Sequence, residues 1–165
     1  MAFYIIIRGP LGCGKSTIAE RLSKKLNAKS FSIDKILDKH NLLTEWEEGY
    51  ISQKSFKKAN EIISSEAREH LEKGISVIFD GNFYWKSQIE DLISKLNFPH
   101  HVFTLKVPLE VCIKRDQQRE KPLGEVATKE VYKKSTEFDY GIIIDASKSL
   151  NETTLEIISH LPKPK

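Results

Sequence analysis

Short apolar runs alternate with amphipathic stretches along the whole chain. Five runs rich in β-branched or aromatic residues predict strands, at residues 3–7, 30–33, 75–79, 101–107 and 141–144. Between these runs, apolar residues recur at helical spacing after residue 17, across 53–73, across 89–96, after Pro108, and through Leu155, Ile158 and Leu161. A shorter helix is predicted at residues 35–40, and Gly74 is expected to end the helix at 53–73.

Strands that alternate with helices predict a parallel sheet covered on both faces, which is a three-layer α/β/α domain with five strands. Ligands of such sheets bind at the carboxyl ends of the strands. Polar residues follow four of the predicted strands directly, at residues 9–17, at Asp34, at 80–82 and at 145–149. We therefore expect one functional site at this edge of the sheet.

Composition limits the classes of protein that fit. The 165 residues suit one domain, and a content of 39% hydrophobic and 30% charged residues is typical of a globular protein. The net charge of +3 permits an anionic ligand, or nucleic acid, without requiring either. Cys13 and Cys112 lack the spacing of a zinc site, and no apolar run approaches the length of a membrane span. We expect a cytoplasmic protein with no membrane partner.

Residues 9–17 have the sequence GPLGCGKST, which matches the phosphate-binding loop pattern G-x-x-x-x-G-K-[ST]. Glycines let the backbone curl around an anion, and the helix that follows points its N-terminus at the same place. In this pattern the lysine reaches the β- and γ-phosphates, and the Ser16 hydroxyl ligates Mg²⁺. We expect the nucleotide to be bound by Gly9, Gly12, Cys13, Gly14, Lys15, Ser16 and Thr17.

Two carboxylates follow predicted strands. Asp80 ends an apolar strand and is expected to orient Mg²⁺ or its bound water, although a turn-forming Asp-Gly pair is an alternative. Asp34 follows the second strand and is the candidate general base that accepts a proton from an acceptor hydroxyl. Its alternative role is to cap the N-terminus of the helix at 35–40.

Arg115 and Arg119 are four residues apart, so a helix would place them on one face. A loop follows them, and we expect residues 115–137 to form a small lid. Arginines at that position balance charge on a phosphoryl group in transfer, or one of them stacks on adenine. The alternative is a solvated basic face paired with Asp116 or Glu120.

Weaker features leave alternatives open. Asn82, Tyr84 and Trp85 could line an acceptor pocket, and Trp85 could equally anchor the core. Residues 45–48 are predicted to form a surface loop. Lys133 and Lys134 are predicted to lie on a solvated helix face rather than to contact a polynucleotide.

GPLGCGKST, Asp34, Asp80 with its following Gly-Asn, and the Arg115/Arg119 pair together resemble small P-loop kinases. The pattern is similar to those of the kinase domain of polynucleotide kinase, the zeta toxins, chloramphenicol phosphotransferase and the AAA-type ATPase/kinase domains grouped with them. The resemblance implies an adenylate-kinase-like strand order 2-3-1-4-5, ATP with Mg²⁺ as donor, Asp34 as base and lid arginines. It also implies that Ala146 and Ser147 contact the adenine.

Kinases, ATPases and GTPases all use a phosphate-binding loop of this pattern. A kinase would transfer phosphate to a hydroxyl of a small metabolite, a nucleoside or nucleotide, or a nucleic-acid 5′ end. An ATPase that performs conformational work on a partner is the alternative. A GTPase is disfavoured because the sequence lacks the Asn-Lys-x-Asp guanine-recognition motif.

Overall fold

Five parallel strands form the central sheet of the protein, whose computed structural model describes residues 1–163. The strands are β1 (Tyr4–Arg8), β2 (Lys29–Ser32), β5 (Val77–Gly81), β6 (His100–Lys106) and β7 (Ile142–Asp145), in the order β2-β5-β1-β6-β7. The central strand β1 pairs Ile6 with Phe79 on one side and with Val102 on the other. This order is the predicted 2-3-1-4-5, so the predicted fold class is confirmed.

Helices cover both faces of the sheet, as the alternating pattern predicts. They are α1 (Lys15–Leu26), α2 (Ile33–Lys39), α3 (Gln53–Glu72), α4 (Lys86–Leu96), α5 (Leu109–Gln117), α6 (Glu125–Ser135) and α7 (Leu150–Ser159). Successive residues of β1 point to opposite faces. Tyr4 and Ile6 therefore join the core that contains α3 and α4, whereas Ile5 and Ile7 join the core that contains α1 and α7.

Element boundaries differ from the predictions near Asp34. The second strand ends at Ser32 instead of residue 33, because the Ser32 hydroxyl accepts a hydrogen bond from the Lys35 backbone N–H, and α2 begins two residues earlier than predicted, at Ile33. The strand predicted at 75–79 is shifted to Val77–Gly81, which places Asp80 within the ladder opposite Ser32.

The surface position predicted for residues 45–48 agrees with the exposure of Glu45, Trp46 and Glu48, but their predicted loop conformation is only partly right, and the prediction for Lys134 is wrong. Residues 45–48 belong to an antiparallel hairpin of β3 (Trp46–Glu47) and β4 (Tyr50–Ile51), with Glu48 and Gly49 at its turn in positive φ. Lys134 is not on a solvated face: it is buried, and its ammonium lies 3.8 Å from the centre of the Trp85 ring.

No helix in the described part of the chain combines the length and the apolar character needed to cross a membrane.

Candidate active site

The phosphate-binding loop joins the end of β1 to the first residue of α1. Gly12 has a φ of +79°, and a Cβ there would lie 2.4 Å from the carbonyl oxygen of Cys112 in α5, so this position requires glycine. Gly14 adopts a left-handed conformation at the N-cap and gives α1 no side-chain cap. The N–H groups of the first turn are therefore free to bind an anion, and the helix dipole favours the negative charge.

Lys15 begins α1 and bends back over the loop. Its ammonium donates a hydrogen bond of 2.8 Å to the Pro10 carbonyl oxygen and lies 4.0 Å from the Cys13 sulfur. The side chain is buried, although its charge has no carboxylate within ion-pair distance among residues 1–163. A buried cation without an ion-pair partner has a strong preference for an anionic ligand.

A cavity of about 310 Å³ opens above this loop. Its walls come from four parts of the chain: the loop and the start of α1, the start of α2, the end of α5 with the segment after it, and the start of α7. The lining residues are Leu11, Gly12, Gly14, Lys15, Ser16, Thr17, Asp34, Arg115, Gln118, Arg119 and Leu150. The structure thus brings all four predicted catalytic side chains to one cavity.

Asp80 lies beside the loop, at the carboxyl end of β5. Its Oδ1 atom accepts a hydrogen bond of 3.4 Å from the Ser16 hydroxyl. Burial raises the pKa of the Asp80 carboxyl to about 6, and the charge of Asp34 adds to the rise, whereas Lys15 and Ser16 oppose it. A cation bound nearby would lower the pKa of Asp80, because a positive charge stabilises the ionised carboxylate.

Asp34 is the second residue of α2, and its side chain is exposed. The capping role that the sequence left open belongs to Ser32 instead. The Asp34 carboxylate is within the electrostatic range of Asp80, since it contributes to the raised pKa of that residue. Asp34 is therefore an exposed carboxylate at the wall of the cavity that is not used to cap α2.

The two arginines differ in their contacts. Arg115 donates hydrogen bonds to the carbonyl oxygens of Cys13 at 3.1 Å, Ala146 at 3.1 Å and Lys148 at 3.3 Å. It therefore ties the phosphate-binding loop to the segment after β7; it is half-buried, and within residues 1–163 it forms no ion pair with Asp116. Arg119 follows the end of α5 and lines the cavity with an exposed side chain.

The predicted adenine contacts, Ala146 and Ser147, do not line this cavity. Ala146 is fully buried, and its carbonyl oxygen is held by Arg115. Ser147 hydrogen-bonds to Asp145 and lines a separate depression beside β6 and α6. Leu150 and Gln118 face the cavity instead. Sequence reasoning did not select these two residues, because an isolated leucine or glutamine carries no motif.

The segment after Asp80 packs into the core. Trp85 is 8% exposed and donates a hydrogen bond of 2.7 Å from its indole nitrogen to the Ile51 carbonyl oxygen, so it anchors the hairpin. The Tyr84 hydroxyl accepts a bond of 3.1 Å from the Ile51 N–H. Asn82 is 8% exposed, and its buried Oδ1 atom has no hydrogen-bond partner within residues 1–163.

The sheet order and the loop-to-helix connection define a small P-loop kinase fold. A family model described as an AAA domain matches residues 5–137, and the chain belongs to this family. The match extends from β1 to just beyond α6, so it contains the phosphate-binding loop, Asp34, Asp80 and both arginines.

Several solved kinase structures share the fold. A sugar kinase from Janibacter has a TM-score of 0.79 at 16% identity, with 96% of this chain and 94% of that chain covered. A gluconokinase from Sinorhizobium meliloti has a TM-score of 0.74 at 13% identity, covering 94% and 89%. Shikimate kinase from Aquifex aeolicus has a TM-score of 0.62 at 20% identity, covering 94% of each chain. No curated protein matches the chain significantly in sequence.

Proposed function

We propose that this protein is a kinase that transfers the γ-phosphate of ATP to a hydroxyl group. The acceptor is a small metabolite, a nucleoside or nucleotide, or a nucleic-acid 5′ end. One observation carries the proposal: Asp34, Arg119 and Lys15 line the same cavity at the N-terminus of α1. A carboxylate and cations that line one phosphate site are the groups that phosphoryl transfer to an alcohol needs.

The residues divide the chemistry among themselves. As the acceptor oxygen forms its bond to the γ-phosphorus, Asp34 accepts the proton of that hydroxyl. The bond from the γ-phosphorus to the bridging oxygen breaks, and ADP leaves with the electron pair. Lys15 and Arg119 offset the negative charge on the phosphoryl oxygens, and the backbone N–H groups of the loop hold the phosphates.

Ser16 and Asp80 fit a magnesium ion. Their hydroxyl and carboxylate oxygens lie 3.4 Å apart, and Mg²⁺ prefers such hard oxygen ligands alongside water and phosphate oxygens. In residues 1–163 no cluster of three or more His, Cys, Asp or Glu side chains forms a separate metal site. Bound Mg²⁺ would neutralise phosphate charge, and Asp80 and Ser16 would orient it.

The segment at residues 115–137 is proposed to close over the nucleotide as a lid. It contains the end of α5, an exposed loop at 118–124, and α6. Because Arg119 lies in its loop, closure would bring this side chain to the phosphates and exclude water at the same time.

Transfer of label from γ-labelled ATP tests the proposal. Pooled nucleosides, nucleotides, 5′-hydroxyl oligonucleotides, sugars and other alcohols serve as acceptors with Mg²⁺ present. We expect label in one pool, a loss of about 100-fold or more in Asp34→Asn, and retained ATP binding in that variant. Asp38→Asn is the matched control, because it removes a carboxylate from the same helix outside the cavity.

The same assay tests the alternative function, an ATPase, which also fits the description of the family as an AAA domain. Label released only as inorganic phosphate, at equal rates in wild type and Asp34→Asn, would contradict the kinase proposal and favour ATP-driven work on a partner. Such machines commonly take an arginine from a neighbouring subunit, whereas in this chain its own Arg119 lines the cavity, which supports the kinase proposal.

A further inference from the structure

Asp116 is a buried carboxylate next to the proposed catalytic groups, with its contacts made entirely to the backbone. It lies in the last turn of α5 and is 1% exposed. Its Oδ1 atom accepts a hydrogen bond of 3.1 Å from the Leu123 N–H, and its Oδ2 atom accepts one of 2.9 Å from the Gly124 N–H. No lysine or arginine of residues 1–163 forms an ion pair with it.

These contacts close the loop that carries Arg119. The backbone carbonyl oxygen of Asp116 accepts a bond of 3.0 Å from the Arg119 N–H, while its carboxylate holds the far end of the same loop. Gly124 has a φ of +99° and begins α6 without a side-chain cap. Asp116 therefore fixes both ends of the segment between α5 and α6.

Apolar packing does not hold this loop in place. Residues 117–126 are exposed, and the apolar side chains of Leu123 and Val126 are 53% and 78% exposed. A loop with little buried apolar surface owes its conformation to hydrogen bonds. The two bonds to a buried carboxylate are stronger than neutral ones, since the acceptor is charged.

We propose that Asp116 is a positioning residue that sets the Arg119 guanidinium at the phosphate cavity. Asp116 does not line the cavity, so it acts through the loop and not on the substrate. The inference rests on the proposed kinase function for the consequence of that positioning. The ordering of the loop by Asp116 stands on the hydrogen bonds alone.

Asp116→Asn tests the inference, because it keeps the size of the side chain while one oxygen that accepts a backbone N–H becomes an NH₂ donor. We expect amide hydrogen exchange in residues 118–124 to become about tenfold faster. We expect kcat to fall about 10- to 100-fold, the effect of misplacing a catalytic group by about 1 Å. The dissociation constant for ATP should change less than about threefold, since the phosphate-binding loop is untouched.

Glu120→Gln is the matched control, because it removes a carboxylate from the same loop at an exposed position. It should leave both the exchange rates and kcat at wild-type values. A double-mutant cycle with Arg119→Ala provides the readout that a purely structural role would not move. If Asp116 acts through Arg119, Asp116→Asn should lower kcat by less than about threefold in the Arg119→Ala background.

The results separate the ordering of the loop by Asp116 from the positioning of Arg119. Unchanged exchange in Asp116→Asn overturns the ordering of the loop, and faster exchange with wild-type kcat overturns the positioning of Arg119. A wild type that phosphorylates no acceptor refutes the kinase proposal. In that case, loss of the ATP-induced protection of residues 118–119 in Asp116→Asn would support the inference. Equal protection in wild type and variant would overturn it. Should Asp116→Asn not fold, Leu123→Pro removes one of the two N–H donors from an exposed site and must speed exchange in the same loop.

Discussion

The three basic side chains that line the cavity at the phosphate-binding loop have three different surroundings. Lys15 is buried and bonded to the carbonyl oxygen of its own loop, Arg115 is bonded to three carbonyl oxygens, and Arg119 is exposed. A side chain whose hydrogen bonds stabilise the fold has less freedom to contact the phosphoryl group in the transition state. We therefore expect substitution of each of the three to have a different effect on binding, stability or kcat.

Lys15→Ala removes the buried cation of the phosphate-binding loop. We expect ATP affinity or turnover to fall about 10- to 100-fold, because a hydrogen bond to a charged group contributes about 1.5–3 kcal/mol. Isothermal titration with ATP and Mg²⁺ measures the binding component. Normal ATP binding and turnover in this variant would mean that the loop does not hold a triphosphate.

Arg115→Ala and Arg119→Ala should separate stability from catalysis. Loss of Arg115 leaves three carbonyl oxygens without their donor, so we expect the free energy of unfolding to fall by about 1–3 kcal/mol. Loss of Arg119 should lower kcat with little change in stability or ATP affinity. Chemical denaturation and steady-state kinetics on both variants provide the comparison, and the opposite pattern would exchange the two roles.

At the scale of elements, α6 and the β3–β4 hairpin are joined by polar and aromatic contacts. The Lys134 ammonium lies 3.8 Å from the Trp85 ring centre and 5.5 Å from that of Tyr50, and it pairs with Glu137 at 3.2 Å. The Tyr50 hydroxyl donates a bond of 3.1 Å to the Glu130 carbonyl oxygen. The hairpin therefore connects α6 to the segment after Asp80.

Lys134→Met should weaken this connection while preserving the aliphatic part of the side chain. We expect a loss of about 1–2 kcal/mol in the free energy of unfolding, the contribution of a desolvated cation–π contact. Lys133→Met is the control, because Lys133 is the exposed neighbour on the same helix. Equal stability of the two variants by urea denaturation would show that the contact contributes nothing measurable.

At the scale of the whole molecule, Arg8 joins segments that are far apart in the chain. It is fully buried at the end of β1 and donates to the Phe83 carbonyl oxygen at 3.2 Å and the Thr104 hydroxyl at 3.1 Å. It also donates to the carbonyl oxygens of Ser135 at 2.9 Å and Phe138 at 3.2 Å. Burial lowers the pKa of Arg8 to about 10, so the guanidinium remains charged at neutral pH.

Arg8→Met should destabilise the protein as a whole. Three carbonyl oxygens would lose their donor, and we expect a loss of about 3 kcal/mol or more. For a domain of this size that corresponds to a decrease in Tm of roughly 6–12 °C. Differential scanning calorimetry measures it, with Arg21→Met on α1 as the control. A decrease in Tm no larger than that of the control would contradict the role assigned to Arg8.

Features encoded by local pattern were predictable from the sequence. The two-faced core and the loop at residues 9–17 depend on short motifs and periodicity, whereas the strand order was implied by the resemblance to small P-loop kinases and is confirmed. Asp34, Arg115 and Arg119 were selected by their places after a strand or at the end of a helix, and they lie at one cavity. Their chemical roles stay predictions.

Features that depend on long-range contacts were not predictable. Two-residue strands such as Trp46–Glu47 show no alternation that could identify them. Lys134 has the composition of a solvated position, and only the arrival of Trp85 and Tyr50 buries it. Asp116 looked like a partner for a neighbouring arginine, whereas its acceptors are filled by N–H groups seven and eight residues away.

The residues that line the cavity come from separate segments of the chain, and this affects how related genes can diverge. In the described structure, only Asp34 among the lining residues comes from the segment between α1 and α5. On the proposed function the acceptor binds beside Asp34, and α2, the hairpin and α3 follow one another in the chain before β5 begins. Under the proposed function, replacing the stretch from α2 to α3 in a related gene would change acceptor preference and leave the codons for the phosphate-binding loop, Asp80 and both arginines intact.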